Sequence, residues 1–169
     1  MSEQNNVNIF VQIEQEIKNT LNGDNQKTAL DLLAYLKDSG FKTEGGFPPH
    51  FTYKGNWSCV FVYFKDENHP SGHWFVCCLP GEIDVSVCSD FSIDESVKEF
   101  AQANVKICDS CYGECFALGG KRRTIFGKEY DGVCCNIFHF HAPNSNELEK
   151  VKKLMDLQKY IINDTQCTK

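Results

Sequence analysis

The chain has 169 residues, the length of one ordinary domain, and its 17 basic against 23 acidic side chains leave a formal charge of −6. That balance excludes a general phosphate-neutralising surface, and with it a broad affinity for nucleic acid or anionic membranes. Apolar residues at 41% and charged residues at 24% are the usage of a folded globular chain, not of a disordered one.

The opening stretch MSEQNNVNIFVQIEQEIKNT has no basic n-region, no apolar h-region and no small-residue cleavage site, so it does not read as a secretory signal. No run approaches the roughly 18 apolar residues that span a bilayer. A cytoplasmic protein with no membrane partner is therefore expected. Residues 7–21 place Phe10, Ile13, Ile17 and Leu21 at three- and four-residue spacings, which predicts an amphipathic helix. A second helix is expected from about Gln26 to Ser39. Asp24 or Asn25 is available as its cap, Leu30, Leu33 and Leu36 share one face, and Gly40 is its stop.

GGFPPH at residues 45–50 breaks the helical pattern. His50–Tyr53 then reads as a strand, Lys54–Asn56 as a turn and Trp57–Phe64 as a second strand. Asp66–Gly72 is a polar loop, His73–Leu79 a third strand, Pro80-Gly81 a turn and Ile83–Cys88 a fourth strand. Ser92-Ile-Asp-Glu95 is a capping-box pattern opening a helix that runs to about Val105. A loop rich in Cys and Gly follows, Cys108–Gly120. The strands Arg123–Lys128 and Val133–His141 come next, separated by a Glu129–Gly132 turn. Asn144-Ser-Asn-Glu147 caps a long final helix carrying Leu148, Val151, Leu154, Met155 and Tyr160.

Consecutive strands joined by short turns favour antiparallel pairing, since parallel strands need long crossovers. The expected fold is α+β: an antiparallel sheet of about five to six strands with two N-terminal helices, one middle helix and one long C-terminal helix. One domain is expected over residues 1–169, its ordered core from about residue 7 to 163. Residues 57–64 are apolar on both alternating faces: Cys59, Phe61 and Tyr63 on one, Val60, Val62 and Phe64 on the other. A sheet covered on one side only shows polar residues outside. The second face therefore calls for an internal cover, a ligand cavity or a partner subunit, most simply in a two-fold homodimer.

Ten cysteines in a chain expected to stay reduced point away from disulfides. Cys59, Cys77, Cys78, Cys88 and Cys135 sit in apolar strand-like runs and read as small buried hydrophobes. Cys108-Asp-Ser-Cys111 is a C-x-x-C pair, and Cys115 adds a third thiol. Two thiolates at this spacing can share one zinc ion, because a tight loop brings both sulfurs to about 2.3 Å from it. Gly113 relieves such a turn. A structural site needs a fourth ligand. Cys134 fills that place if an antiparallel neighbour returns it beside the loop, and Cys135 or His139 if the opposite face meets the metal. Reduced free thiols and a redox dithiol are the competing readings. The second is disfavoured because the C-x-x-C follows a helix and runs into glycines instead of opening a helix.

The stretch from Cys108 to Cys115, the segment KRRTIFGKEYDGVC at 121–134 and the closing helix resemble a family of small uncharacterised proteins from clostridia and related anaerobes. Ala29–Trp74, including DENHPSGHW, is similar to the same family, so the resemblance covers about residues 29–162. The order of elements is more weakly similar to the YdhG-like domains of unknown function. Those are small α+β domains with an antiparallel sheet, a Lys/Arg-bearing turn and a terminal helix. The second resemblance supports this fold, and neither implies an established activity.

The remaining polar candidates are few. His73 opens a strand after Ser71-Gly72 and can point into a cavity, while His139 and His141 project from one strand face and suit a pair of metal ligands. Lys121, Arg122 and Arg123 follow Gly119-Gly120 in a basic turn able to bind an anion such as phosphate or a carboxylate, although no P-loop pattern is present. No G-x-S-x-G, H-E-x-x-H, dinucleotide or EF-hand pattern occurs. The reading that emerges is a non-enzymatic domain, stabilised by zinc at Cys108, Cys111, Cys115 and Cys134, that binds a small molecule, an anion or a protein partner. Two alternatives stand beside it. One is a thiol-dependent enzyme using Cys108 or Cys111 with His73 or His139 as base. The other is a purely structural or oligomerisation module.

Overall fold

A computed structural model describes residues 3–43, 45–80, 92–108 and 120–163. Helices α1 (Glu3–Thr20) and α2 (Gly23–Asp38) come first, followed by strands β1 (Lys42–Thr43), β2 (His50–Tyr53), β3 (Asn56–Phe64) and β4 (His73–Pro80). Helix α3 (Glu95–Ala103), strands β5 (Val105–Ile107), β6 (Lys121–Ile125) and β7 (Lys128–His141), and helix α4 (Ser145–Asn163) complete the order. No helix among the described residues is long and apolar enough to cross a membrane.

Every pairing among the described strands is antiparallel, in the order β1-β2-β3-β4-β7-β5, with β6 also on β7. The fold is therefore α+β with the expected helix arrangement. Two strands exceed the expectation, β1 and β5, which at two and three residues are too short for any periodicity to reveal. The expected strand Ile83–Cys88 lies outside the described residues. Val133 pairs with Ile107 and with Lys121, so β5 and β6 flank β7 on opposite edges there. Further along, β7 exchanges β6 for β4, from Asn136 to His141.

One face of the sheet carries the rows Phe51–Cys59–Cys78–Phe138, Phe61–Val76–Phe140 and Tyr63–Trp74, all buried. Helices α1, α2 and α4 pack on β3 and β4, bringing Ile17, Leu21, Leu32, Leu36, Leu154 and Met155 into the same core. Each fully buried Leu, Ile or Phe stabilises the fold by about 1.5–3 kcal/mol relative to exposure.

Helix ends follow the sequence in part. At α4 the expected capping box is complete: Asn144 Oδ1 accepts from the amides of Asn146 and Glu147 at 3.0 Å each, and Glu147 Oε2 accepts from the Asn144 amide at 2.9 Å. At α3 the cap is Asp94, not Ser92, and its side chain makes no capping bond; the carboxylate pairs with Lys153 of α4 instead. That helix ends at Ala103, and the β-branched Val105 already belongs to β5. At α2 the cap position is Asn22, while Asn25 turns away to bind the Gly72 carbonyl.

The β6–β7 hairpin turns earlier than expected. Its tip is Phe126-Gly127, with φ of 49° and 78°, closed by the pair Ile125↔Lys128. Two successive left-handed residues match the right-handed twist of the flanking strands. Residues 129–132 consequently continue the strand.

Candidate functional site

The second face of the sheet carries the rows His50–Val60–Cys77–His139, Val62–Phe75–His141 and Phe64–His73. Val60, Val62, Phe64 and Phe75 are half-buried. Cys77, only 5% exposed, sits opposite His139. This face is thus a band in which apolar side chains alternate with imidazoles and a thiol, the nitrogen and sulfur donors that suit borderline and soft metal ions.

One end of the band is a cluster of histidines built by the loop before β4. Asp66 Oδ1 accepts from the His69 amide at 2.8 Å and lies 2.9 Å from His69 Nδ1. Gly72 closes the loop with φ of 78°, and a Cβ there would stand 2.5 Å from the Thr20 carbonyl oxygen. Asn22 N donates to the Ser71 carbonyl at 2.9 Å, which fastens the loop to the α1–α2 junction. His73 follows directly. Its ring centroid is 4.9 Å from that of His69 and 5.7 Å from that of His141, and its Nε2 is 3.4 Å from His141 Nδ1. Phe64 packs on His69 and His73, and Phe75 on His141 and His139.

Burial is the first cause holding the His73 pKa below the usual imidazole range; the charges of His69 and His141 act in the same direction and Asp66 opposes them. His141 is held low by burial and then by Lys106. Asp66 is held below the ordinary carboxylate value chiefly by its hydrogen bond from His69. Beside this end lies a cleft of about 430 Å³ walled by Phe64 and lined by Glu16, Asn19, Tyr63 and Lys65, with Phe47 at its rim, 64% exposed. The Tyr63 hydroxyl donates to Glu16 across it.

Thiols gather at the other end. Ile107 pairs with Val133, and the Cys108 amide donates to the Gly132 carbonyl at 2.7 Å. Cys108 and Cys134 each adjoin this pair, so they are diagonal cross-strand neighbours, about 7–8 Å apart in backbone terms. Cys134 is buried, and its Sγ is 3.9 Å from that of Cys135. Cys77 lies within electrostatic range of both: burial first, then Cys134 and Cys135, push its thiol up to about 12, with Lys106 acting against them. Cys59 and Cys78 are cross-strand partners in the core, and burial pushes both thiols well up.

The expected packing role fits Cys59, Cys77 and Cys78, all buried, whereas Cys135 is exposed. Cys88 lies outside the described residues. Of the four expected zinc ligands, Cys108 and Cys134 are the described pair, and Cys111 and Cys115 lie outside the described residues. Among the described residues no group of three or more His, Cys, Asp or Glu side chains is placed to hold a metal ion.

The basic candidates do not sit in a turn. Lys121, Arg122 and Arg123 open strand β6. Arg122 is answered by Glu129 at 2.8 Å and Asp131 at 3.4 Å, while the half-buried Arg123 keeps a buried Nε with no hydrogen-bond partner among the described residues. His73 is not beside them. It meets His141, whereas Lys121 pairs with Val133, roughly 25 Å of strand away along β7. The sequence reading also missed Asp66 and His69, whose signal was the three-residue spacing inside DENHPSGHW.

Comparison with models of known protein families, with curated proteins and with solved structures finds no match.

Proposed function

We propose that this protein is a zinc-stabilised binding domain that works without covalent chemistry. Cys108 and Cys134 are two of the four ligands, and Cys111 and Cys115 supply the others from the loop. The observation that carries this reading is the β5–β7 register, which brings Cys134 near Cys108. Four thiolates suit a closed tetrahedral zinc site, and the free energy of binding then becomes folding free energy. Burial raises the pKa values of Cys59, Cys77 and Cys78, which makes these three poor nucleophiles; the thiol-enzyme alternative rests on Cys108 or Cys111. The half-buried second face and the cleft beneath Phe47 offer surface for a small molecule or protein partner.

Metal analysis of the purified chain, paired with a thiol-alkylation time course, tests the reading. The expected outcome is one zinc per chain, released in Cys134→Ser together with a lower melting temperature. Metal-free wild type with a fast-alkylating Cys108 would replace the proposal with thiol-dependent catalysis.

A further inference from the structure

We propose that His73 and His141 form a second metal site, open to solvent, for a borderline divalent transition-metal ion of the zinc, nickel or copper class. The proposal does not rest on the cysteine site: His141 shares strand β7 with Cys134 but stands seven residues further along it, and His73 comes from β4. Phe75 pairs with His141, and His73 lies two residues before Phe75 on the same sheet face, so the β4–β7 ladder sets the two imidazoles diagonally across from one another.

Distance separates this reading from a simple imidazole hydrogen bond. His73 Nε2 and His141 Nδ1 are 3.4 Å apart. Hydrogen bonds donated by N–H to oxygen span about 2.7–3.2 Å, so 3.4 Å is long by that measure. Two nitrogens each about 2.0–2.1 Å from one tetrahedral ion stand about 3.4 Å apart. The gap is long for sharing a proton and correct for sharing an ion.

The pair is also held in place. Phe64 packs on the His73 ring at 5.6 Å, and Phe75 packs on the His141 ring at 5.2 Å. Gly72, pressed against the Thr20 carbonyl, fixes where β4 begins. Donor chemistry selects the ion. Asp66, the carboxylate that bears on His73, is bonded to His69, which leaves nitrogen donors and disfavours the hard ions magnesium and calcium. As placed, three protein donors do not converge among the described residues. The site is therefore a two-imidazole chelate with water in the remaining positions.

The test is calorimetric titration of zinc chloride into the full-length chain, purified by gel filtration without chelator. One further ion per chain is expected to bind. His73→Gln and His141→Gln should each weaken it at least tenfold, and His50→Gln, on the same face at the exposed end of β2, should leave it unchanged. Imidazole nitrogen shifts measured by NMR on the wild type cover the case of a variant that folds poorly: His73 Nε2 and His141 Nδ1 should move on zinc addition. Unchanged binding in both variants, or zinc-induced shifts confined to other histidines, would overturn the site and leave the cluster as aromatic packing.

Discussion

Asn25 Nδ2 donates to the carbonyl of Gly72 at 2.9 Å, a bond that spans 47 positions of sequence and ties the first turn of α2 to the residue preceding His73. Both ends of the bond are constrained. Gly72 has φ of 78° and no room for a side chain, since a Cβ would meet the Thr20 carbonyl at 2.5 Å and Leu21 at 2.6 Å. The placement of the histidine cluster thus depends on helix packing at the opposite side of the sheet.

Gly72→Ala is therefore expected to lose at least about 2 kcal/mol in chemical denaturation, because it combines a left-handed backbone with a backbone collision. Gly127→Ala makes the control: it shares the left-handed φ, of 78°, but has open space around it. Its loss should be the smaller of the two. Equal losses would mean that backbone conformation, not the contact with α1, governs Gly72.

Asn144→Ala removes the acceptor that serves two amides at the start of α4. The expected cost is about 1 kcal/mol, and Asn144→Ser should recover most of it. An alanine variant as stable as wild type in urea unfolding would show that α4 is held by its buried face alone.

The thiols should separate by environment when native protein is alkylated and read by mass spectrometry. Cys59 and Cys78 are fully buried with thiols pushed well up, so both should stay unmodified until global unfolding. Cys135, exposed on β7, should react earlier. Labelling of Cys59 ahead of Cys135 would contradict the core assignment.

Arg122 reaches Glu129 and Asp131 from a position that is itself 67% exposed. Exposed pairs of this kind contribute at most about 1 kcal/mol. Arg122→Ala should accordingly leave stability within that limit, whereas Ile125→Ala, fully buried at the same hairpin, should cost about 2–5 kcal/mol. The two variants, compared in one denaturation series, tell whether the hairpin is held by charge or by packing.

How legible these features were in the sequence follows from the range of the forces involved. Helices α1, α2 and α4 and strands β2, β3 and β4 carry their periodicity locally, and the Asn144 box is complete within four residues. Strands β1 and β5 exist because a neighbour pairs with them, as in Lys42↔Thr52 and Ile107↔Val133, and nothing inside two or three residues announces that. The β6–β7 turn was misplaced because a phenylalanine occupies its first left-handed position, a place where Asn or Asp is the usual signal. Cys134 was singled out by supposing an antiparallel return; the β5–β7 ladder pairs its neighbour Val133 with Ile107, and Cys111 and Cys115 lie outside the described residues. The histidine cluster was not legible, since His73 and His141 are 68 positions apart and meet only through the β4–β7 register.

The central claim is that a zinc ion held by thiolates stabilises this fold, and zinc K-edge absorption on protein carrying one zinc per chain addresses it most directly. The account predicts a first shell of four sulfurs at about 2.3 Å, with sulfur lost in Cys108→Ser and in Cys134→Ser. A shell of nitrogen and oxygen at about 2.0–2.1 Å, or a purified chain that holds no zinc and melts unchanged in both variants, would contradict it.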